Sequence, residues 1–357
     1  SANYSYGANS PRNFYDGRLT YQQLVGGLDV TRRFDAFQSL NLAFGVEGRS
    51  EWFSIGAGDR ASYDYYDPAN PSGTPGAQGY GGLSPANVVD RSRRAISGYL
   101  DVEAQVTDAF QIGLAGRVED YSDFGSTANG KVTARYDFTP WFALRGSVST
   151  GFRAPSLQQQ YFTQIAQVVQ NGQPPVLTGT YPSTSNVAAA LGGLPLKPEK
   201  STNFSAGTVI RAGGFELTVD GYYIKIRDQL GLSENISATL NPQVQALLTP
   251  LVGATGAARF FINGLRSTSQ GIDAVAHYRL ATPAAGTFDF TLAGNVNKIN
   301  VTRHITGVTG ALIPAANLFA RTRILSIEAG TPGEKVTGTI DWSLNKIGAL
   351  ARVTYYG

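Results

Sequence analysis

The stretch Phe142-Ala-Leu-Arg-Gly-Ser-Val-Ser-Thr-Gly-Phe152 sorts its side chains onto two faces. Phe142, Leu144 and Val148 fall on one face, whereas Arg145 falls on the other face together with small polar residues. Successive residues of a β-strand point to opposite sides of the sheet, so a repeat every second residue is typical of a strand. The stretch therefore predicts a strand with one apolar and one polar face.

The same alternation recurs along most of the chain. It is found in six further segments, at residues 40–49, 96–106, 110–119, 132–138, 288–297 and 336–344. This pattern predicts an all-β protein, but a soluble sandwich shows it as well as a membrane barrel does.

The lengths of the connections favour the barrel. Tight turns are expected at residues 33–37, 107–110, 139–142, 212–215, 282–286 and 345–348. They alternate with long polar segments at 50–94, 153–200, 228–262 and 302–332 and with a shorter link at 122–130. Short turns at one end and long loops at the other are typical of an antiparallel transmembrane β-barrel, whereas a Greek-key sandwich would mix the two lengths.

A barrel in a membrane turns its apolar face to lipid and its polar face to the lumen. The predicted lipid-facing residues include Leu100, Ile112, Leu114, Leu144, Val148 and Phe290. The predicted lumenal residues include Glu47, Arg49, Asp101, Glu103, Arg117, Glu119 and Arg145.

The composition excludes several classes of function. The 357 residues contain no cysteine, which removes disulfides, thiol nucleophiles and cysteine metal sites. The net charge is only +3 and there is no basic run, so nothing supports nucleic-acid binding. No apolar run approaches the roughly 20 residues of a transmembrane helix. Because the chain begins at Ser1 and contains no methionine, we expect it to be a segment of a larger exported protein.

Four segments carry a resemblance to a known family. They are Ser149-Thr-Gly-Phe-Arg-Ala-Pro-Ser-Leu157, Leu196-Lys-Pro-Glu-Lys-Ser-Thr-Asn-Phe204, Phe215-Glu-Leu-Thr-Val-Asp-Gly-Tyr-Tyr-Ile-Lys-Ile-Arg-Asp228 and Ser267-Thr-Ser-Gln-Gly-Ile-Asp273. In this order and spacing they resemble the β-barrel of the TonB-dependent outer-membrane receptors, from about residue 95 onward and less clearly before it. The residues agree with such a strand end, because Pro155 lacks an N–H and the ladder must stop there.

The resemblance implies a twenty-two-stranded barrel in the outer membrane of a Gram-negative bacterium, filled by an N-terminal plug domain that recruits TonB. About twelve strands can be recognised here. We therefore expect residues 1–357 to be part of this barrel, surrounded by outer-membrane lipid, with the plug domain and the C-terminal closing strands not present. The resemblance also implies that 50–94 and 153–200 lie outside the cell and that the turn at 139–142 lies in the periplasm.

Candidate catalytic and metal sites are weak. His277 and His304 lie far apart, and no nucleophile elbow accompanies them. The carboxylates between Asp59 and Asp67 are spaced like calcium ligands but lack the glycine and the bidentate glutamate of an EF-hand. We predict no enzymatic activity, no cofactor and no metal site.

The long loops offer a candidate substrate-binding surface of aromatic, amide and arginine side chains. Its members are Tyr63, Tyr65, Tyr66, Arg153, Gln158, Tyr161 and Phe162. Such side chains stack on, and hydrogen-bond to, a bulky polar ligand. Two simpler roles stay open, since the aromatic rings could pack on one another and Arg153 could pair with a lumenal carboxylate.

The predicted function is an active outer-membrane transporter that binds and imports a large, scarce nutrient such as a ferric siderophore, with the TonB complex as its partner through the plug. Cobalamin and an oligosaccharide are alternative ligands. A passive porin or channel is an alternative from another class, and a barrel that only binds surfaces through its loops is a third. A porin would lack both the plug and its coupling motif.

Overall fold

The computed structural model describes residues 2–66, 75–168, 176–305, 310–314 and 318–357. Across these residues, twelve strands form one antiparallel meander in which each strand pairs with the next of the series. Three shorter strands lie in the long connections and are numbered together with the others in chain order. The meander, here called the wall, consists of β1 (Arg18–Phe34), β2 (Ser39–Gly56), β3 (Val89–Gln105), β4 (Phe110–Tyr121), β5 (Gly125–Thr139), β6 (Phe142–Arg153), β9 (Glu199–Ala212), β10 (Phe215–Leu232), β12 (Ala257–Thr282), β13 (Gly286–His304), β14 (Glu334–Leu344) and β15 (Ile347–Tyr356), and the shorter strands are β7 (Gln164–Val168), β8 (Val176–Tyr181) and β11 (Ile236–Ser237).

The prediction of an all-β antiparallel fold with about twelve strands is confirmed. In the described part of the chain, β1 and β15 each pair with one neighbour, so the sheet is open along these two strands. The helices are short and lie outside the wall. They are α1 (Arg60–Tyr63), α2 (Leu157–Tyr161), α3 (Asn186–Ala190), α4 (Pro242–Val252) and α5 (Arg321–Glu328), with 3-10 turns at Tyr4–Asn9, Pro85–Asn87 and Ala238–Leu240. None of the described helices combines the length and the hydropathy needed to cross a membrane.

The connections at one end of the wall are as tight as the sequence predicts. Those after β1, β3, β5, β9, β12 and β14 span only a few residues each. Three of them turn through the left-handed region, at Phe37 with a φ of 57°, at Gly213 with a φ of 58° and at Asn345 with a φ of 52°. Glycine and asparagine tolerate this conformation better than other residues, which suits Gly213 and Asn345 to their hairpins.

The other end carries the long connections, but strands extend into several of the predicted loops. The expected link at 122–130 shrinks to a turn at 122–124, because Gly125–Gly130 continue β5 and pair in register with β4. The stretch is polar and glycine-rich, yet the neighbouring ladder supplies its backbone hydrogen bonds. The strands beside the predicted loop at 50–94 are also longer than expected, which leaves 57–88 as the connection.

The two faces of the wall differ in the predicted way. Leu100, Leu114, Leu144 and Val148 are between 44% and 50% exposed on one face. The opposite face carries ion pairs, such as Arg145 Nε to Asp220 Oδ1 at 2.8 Å. Gly207 lies opposite Arg145, and a Cβ at this glycine would collide with the Asp220 carboxylate, so glycine leaves the room that this ion pair needs.

At the long-loop end the connections fold into a second layer, here called the loop cap. It comprises the described residues of 164–198, 233–265 and 305–328. Strand β12 extends from the wall into the cap, where Ala257–Phe260 pair in parallel with β8. The cap has its own buried apolar core: Ala188, Leu191, Ile236, Ala238, Val244, Leu248, Val252, Ala258, Phe260, Ile262, Leu265, Ile313, Leu318 and Phe319. The cap is thus a packed unit that is continuous with the wall.

Candidate ligand-binding site

A cavity of about 860 Å³ lies between the polar face of the wall and the loop cap. The wall contributes Arg49, Glu51, Arg93, Arg117, Glu119 and Tyr121. The segment after β6 contributes Arg153, Ser156, Gln158, Gln159 and Phe162 among others. The cap side contributes Thr180, Leu232, Arg259 and Phe261. Charged, amide and aromatic side chains therefore converge on one space from three parts of the chain.

The floor of the cavity is a chain of ion pairs on the lumenal face of β2 and β4. Arg117 Nε lies 2.7 Å from Glu119 Oε1, and its Nη2 lies 3.5 Å from Glu47 Oε1. Arg49 Nη2 reaches the same Glu47 oxygen at 2.9 Å. Alternation brings these residues to one face of β2 and β4, the two strands that flank β3, as the sequence predicts. The floor is polar, and its charges are largely matched by one another.

Arg93 joins the floor to the segment that follows β6. Its side chain is only 5% exposed and lies 2.6 Å from Glu51 Oε2. Its Nη1 donates to the backbone oxygen of Pro155 at 2.7 Å, and its guanidinium lies 5.3 Å from the centre of the Tyr121 ring. A buried guanidinium needs such partners, because an unpaired charge away from water is costly. Arg93 therefore fixes where the chain leaves the wall and enters the cavity rim.

Arg153 pairs with a lumenal carboxylate, which is one of the two roles that the sequence left open. Its Nε lies 2.6 Å from Glu199 Oε2 and its Nη2 lies 3.0 Å from Glu199 Oε1. Glu199 Oε1 also accepts from the Leu230 N–H at 2.6 Å, so the pair ties β6, β9 and β10 together. The Arg153 side chain is nevertheless 62% exposed and lines the cavity.

The residues after Arg153 divide between two environments. Gln158 and Phe162 line the cavity. Tyr161 and Phe162 both pack on a buried cluster beside the wall, formed by Phe53, Ile55, Leu83 and Leu157, and Arg91 lies 5.4 Å from the centre of the Tyr161 ring. The first turn of helix α2 is capped by the Ser156 hydroxyl, which accepts from the Gln159 N–H.

The predicted tyrosines of the preceding loop lie elsewhere. Tyr63 and Tyr65 line a separate cavity of about 440 Å³, whose other walls include Ile165 and Leu177. The Tyr66 ring packs edge-on against Tyr6, with 4.9 Å between the ring centres. The structure thus brings Arg153, Gln158 and Phe162 together and places the three tyrosines of this loop outside their cavity.

The cap side of the cavity was not foreseen, because residues 228–262 read as a polar loop. Arg259 and Phe261 face the cavity while Phe260 between them is completely buried in the cap core. This alternation over Arg259-Phe-Phe-Ile262 is the local signal that could have predicted a strand here. The Arg259 Nε donates to the Thr180 hydroxyl at 2.9 Å, which links β12 to β8.

Other residues considered for chemistry have structural partners. His277 Nε2 lies 3.3 Å from Asp289 Oδ1 on the lumenal face. Asp64 pairs with Arg60 at 2.8 Å, and Asp67 lies outside the described residues. Over the part of the chain that the structure describes, no group of three or more histidine, aspartate or glutamate residues could hold a metal ion.

Comparison with known proteins finds distant relatives over part of the chain. An iron-regulated outer membrane virulence protein of Vibrio cholerae is 23% identical over 135 residues, which cover 38% of this chain and 18% of that protein. A probable TonB-dependent siderophore receptor, PirA of Acinetobacter baumannii, is 27% identical over 121 residues, covering 33% of this chain and 15% of that protein. The chain thus matches less than a fifth of the length of either relative.

Solved structures match nearly the whole chain in fold. The siderophore receptor PirA from Pseudomonas aeruginosa aligns with a TM-score of 0.58 at 14% identity, over 96% of this chain and 49% of that one. A mutant ferric enterobactin receptor, PfeA from the same species, in complex with enterobactin, aligns with a TM-score of 0.59 at 13% identity, over 95% and 42% of the two chains. At this identity the likeness shows the fold alone.

The family model for the TonB-dependent receptor-like β-barrel matches residues 1–357, that is, the entire chain. The family and the fold are those of receptors and transporters rather than of enzymes. The predicted recognition and location are therefore confirmed: this chain belongs to the TonB-dependent receptors, and its wall lies in the outer membrane of a Gram-negative bacterium.

Proposed function

We propose that the chain forms the ligand-binding part of an active transporter that captures a ferric siderophore at the cavity and imports it. The observation that carries this proposal is the cavity of about 860 Å³ at the long-loop end, lined by arginine, amide and aromatic side chains. Its volume falls in the range of small-molecule sites, and its lining suits a bulky polar chelate. In this proposal the long-loop end faces the exterior.

The names of similar proteins support iron chelates as the ligand class. The two relatives are described as iron-regulated and as a probable siderophore receptor, and a matching solved structure holds enterobactin. Coupling to the TonB complex is part of the proposal, through a plug domain that we place outside residues 1–357. Outer-membrane lipid is the proposed surrounding of the exposed apolar face.

We propose that Arg153, Gln158 and Phe162 contact the ligand. Tyr63 and Tyr65 would meet a ligand only at the smaller cavity, on its way in. Tyr66 and Tyr161 would act through packing, since Tyr66 rests on Tyr6 and Tyr161 on the cluster beside the wall. Of the seven residues predicted from the sequence, three would thus contact the ligand, two would line its entrance and two would support the site by packing.

Uptake of radiolabelled ligands tests the proposal. The full-length protein is expressed in cells that lack their own siderophore receptors, with and without TonB, and is offered ferric siderophores, cobalamin or an oligosaccharide. We expect uptake of a ferric siderophore only when TonB is present. Uptake that does not need TonB would identify a passive channel, and TonB-dependent uptake of cobalamin or sugar alone would replace the siderophore.

Two variants test whether the ligand binds in the cavity. The double variant Arg153→Gln with Phe162→Ala removes two lining side chains, and we expect siderophore affinity to fall roughly tenfold or more. Tyr80→Ala is the matched control, because Tyr80 is 50% exposed in a long connection and does not line the cavity. Equal affinities for the two proteins would remove this cavity from the binding site.

A further inference from the structure

The arginines that line the cavity are not equivalent in charge balance. Four of them each have a carboxylate oxygen within hydrogen-bond distance. These pairs are Arg49 with Glu47 at 2.9 Å, Arg93 with Glu51 at 2.6 Å, Arg117 with Glu119 at 2.7 Å and Arg153 with Glu199 at 2.6 Å. The positive charge of these four side chains is therefore balanced by the protein itself.

Arg259 is the exception. Its Nε donates to the neutral hydroxyl of Thr180, and among the described residues no carboxylate forms an ion pair with its guanidinium. Arg323, which carries the same charge, is close enough to act on it electrostatically. Burial, and secondarily the charge of Arg323, lower the pKa of Arg259 in the cap. A half-buried guanidinium without a counter-charge is costly, so Arg259 needs a counter-charge that the described residues do not supply.

The position of Arg259 is fixed by the fold of the cap. Arg259 lies in register with Thr180 on the parallel neighbour β8. The next residue, Phe260, is fully buried in the cap core and anchors the strand from behind. The Thr180 contact uses one nitrogen and leaves both terminal nitrogens without a partner among the described residues. These two nitrogens form the planar fork that binds two oxygens of one anionic group.

We propose that Arg259 is the anion anchor of the cavity, so that the ligand is a chelate with net negative charge rather than a neutral one. An anionic oxygen pair of the ligand would supply the missing counter-charge, while Phe162 and Phe261 would cover its apolar parts. This inference rests on the proposed function only in assuming that the cavity holds the transported ligand.

The test compares probes of different charge on the purified full-length protein. Two are ferric complexes of synthetic hexadentate ligands: a trianionic tris-catecholate and a neutral tris-hydroxamate. The third is benzene-1,3,5-tricarboxylate, an anion without iron. Affinities are measured by equilibrium dialysis for the unmodified protein and for Arg259→Gln, Arg259→Lys and the control Arg60→Gln. Arg60 is also on the long-loop side, but it is 70% exposed and paired with Asp64.

We expect the unmodified protein to prefer the trianionic chelate over the neutral one by roughly tenfold or more, as for a charge-assisted hydrogen-bonded pair. Arg259→Gln should lose that preference and leave affinity for the neutral chelate unchanged. Arg259→Lys should keep part of the preference, because it keeps the charge but not the fork. Arg60→Gln should behave like the unmodified protein.

The other outcomes are equally decisive. An equal loss of both chelates in Arg259→Gln and Arg259→Lys would show a structural role for Arg259 and overturn the anchor. The anchor would also be overturned if neither the trianionic chelate nor the tricarboxylate bound, or if the neutral and trianionic chelates bound equally. Arg259-dependent binding of the tricarboxylate without binding of either iron complex would keep the anchor and overturn the siderophore proposal instead.

Discussion

The wall and the loop cap arrange their side chains in opposite ways. The wall turns Leu144 and Val148 outward and keeps Arg145 and its partner Asp220 on the inner face. The cap buries Phe260 completely and turns Arg259 toward the cavity beside it. The difference agrees with the proposed surroundings, which are outer-membrane lipid outside the wall and water around the cap.

The wall and the cap also differ in how far apart in the sequence their contacting residues lie. A wall strand shows its two faces within a few residues, and its neighbour is usually the next strand along the chain. The cap core joins Ala188, Leu248, Phe260 and Leu318, which come from different connections. The ligand-binding cavity lies where these two parts meet, so its lining depends on both kinds of information.

The largest effect on stability is expected from truncating a side chain in the cap core. Phe260→Ala should lower the stability of the cap by about 3–5 kcal/mol, since a fully buried phenylalanine leaves a cavity when it is truncated. Amide hydrogen exchange should therefore become faster in α4 and the first part of β12 and stay slow in the wall. Ligand binding should weaken as well, because Arg259 and Phe261 flank the altered position.

Phe44→Ala is the matched control, because Phe44 is 45% exposed on the outer face of β2. It should leave cap exchange unchanged. If Phe260→Ala accelerated exchange equally in the wall and the cap, the two would unfold as one cooperative unit rather than as separate layers.

The same distinction explains what the sequence could predict. The faces around Arg145, the six tight turns and the number of wall strands followed from period and spacing, which are local. The stretch Gly125–Gly130 was misjudged as part of a loop, because its strand character comes from pairing with β4 rather than from its own residues.

The site was predicted in part for the same reason. Arg153, Gln158 and Phe162 sit just after a recognisable strand end, so their common location could be foreseen. Arg259 was missed because the alternation over residues 259–262 is short and has no clear boundary, and the cap core into which Phe260 packs joins distant segments. The Tyr66 ring packs on Tyr6, some sixty positions away in the sequence, and no local pattern indicates this contact.

A smaller effect is expected from placing a charge on the outer face of the wall. Val148 lies in mid-strand, in register with Val132 and Phe204, so Val148→Arg should cost about 2–4 kcal/mol of folding free energy in a bilayer. Leu144→Arg should cost less, because Leu144 lies close to the turn at 139–142, and the penalty falls toward the membrane surface.

Urea unfolding of the full-length protein from phospholipid vesicles measures both costs. Ser149→Arg, on the inner face of the same strand, is the control and should cost much less than Val148→Arg. A larger cost for Ser149→Arg than for Val148→Arg would mean that the inner and outer faces are assigned the wrong way round.

The smallest effect is expected at an exposed ion pair of the wall. Arg211 Nε lies 3.0 Å from Glu216 Oε2 beside the tight turn at Gly213, and the two side chains are 49% and 46% exposed. Water and salt screen such a pair, so Arg211→Gln should change stability by about 1 kcal/mol or less, and less still at high ionic strength. The Arg93–Glu51 pair has the same chemistry but is almost completely buried, and truncating one member there leaves a charge without a partner. The same unfolding assay measures the effect of Arg211→Gln. A loss of several kcal/mol would show that exposure does not determine how much the two pairs stabilise the protein. Exposed ion pairs at the edge of the wall would then stabilise it as well as buried ones.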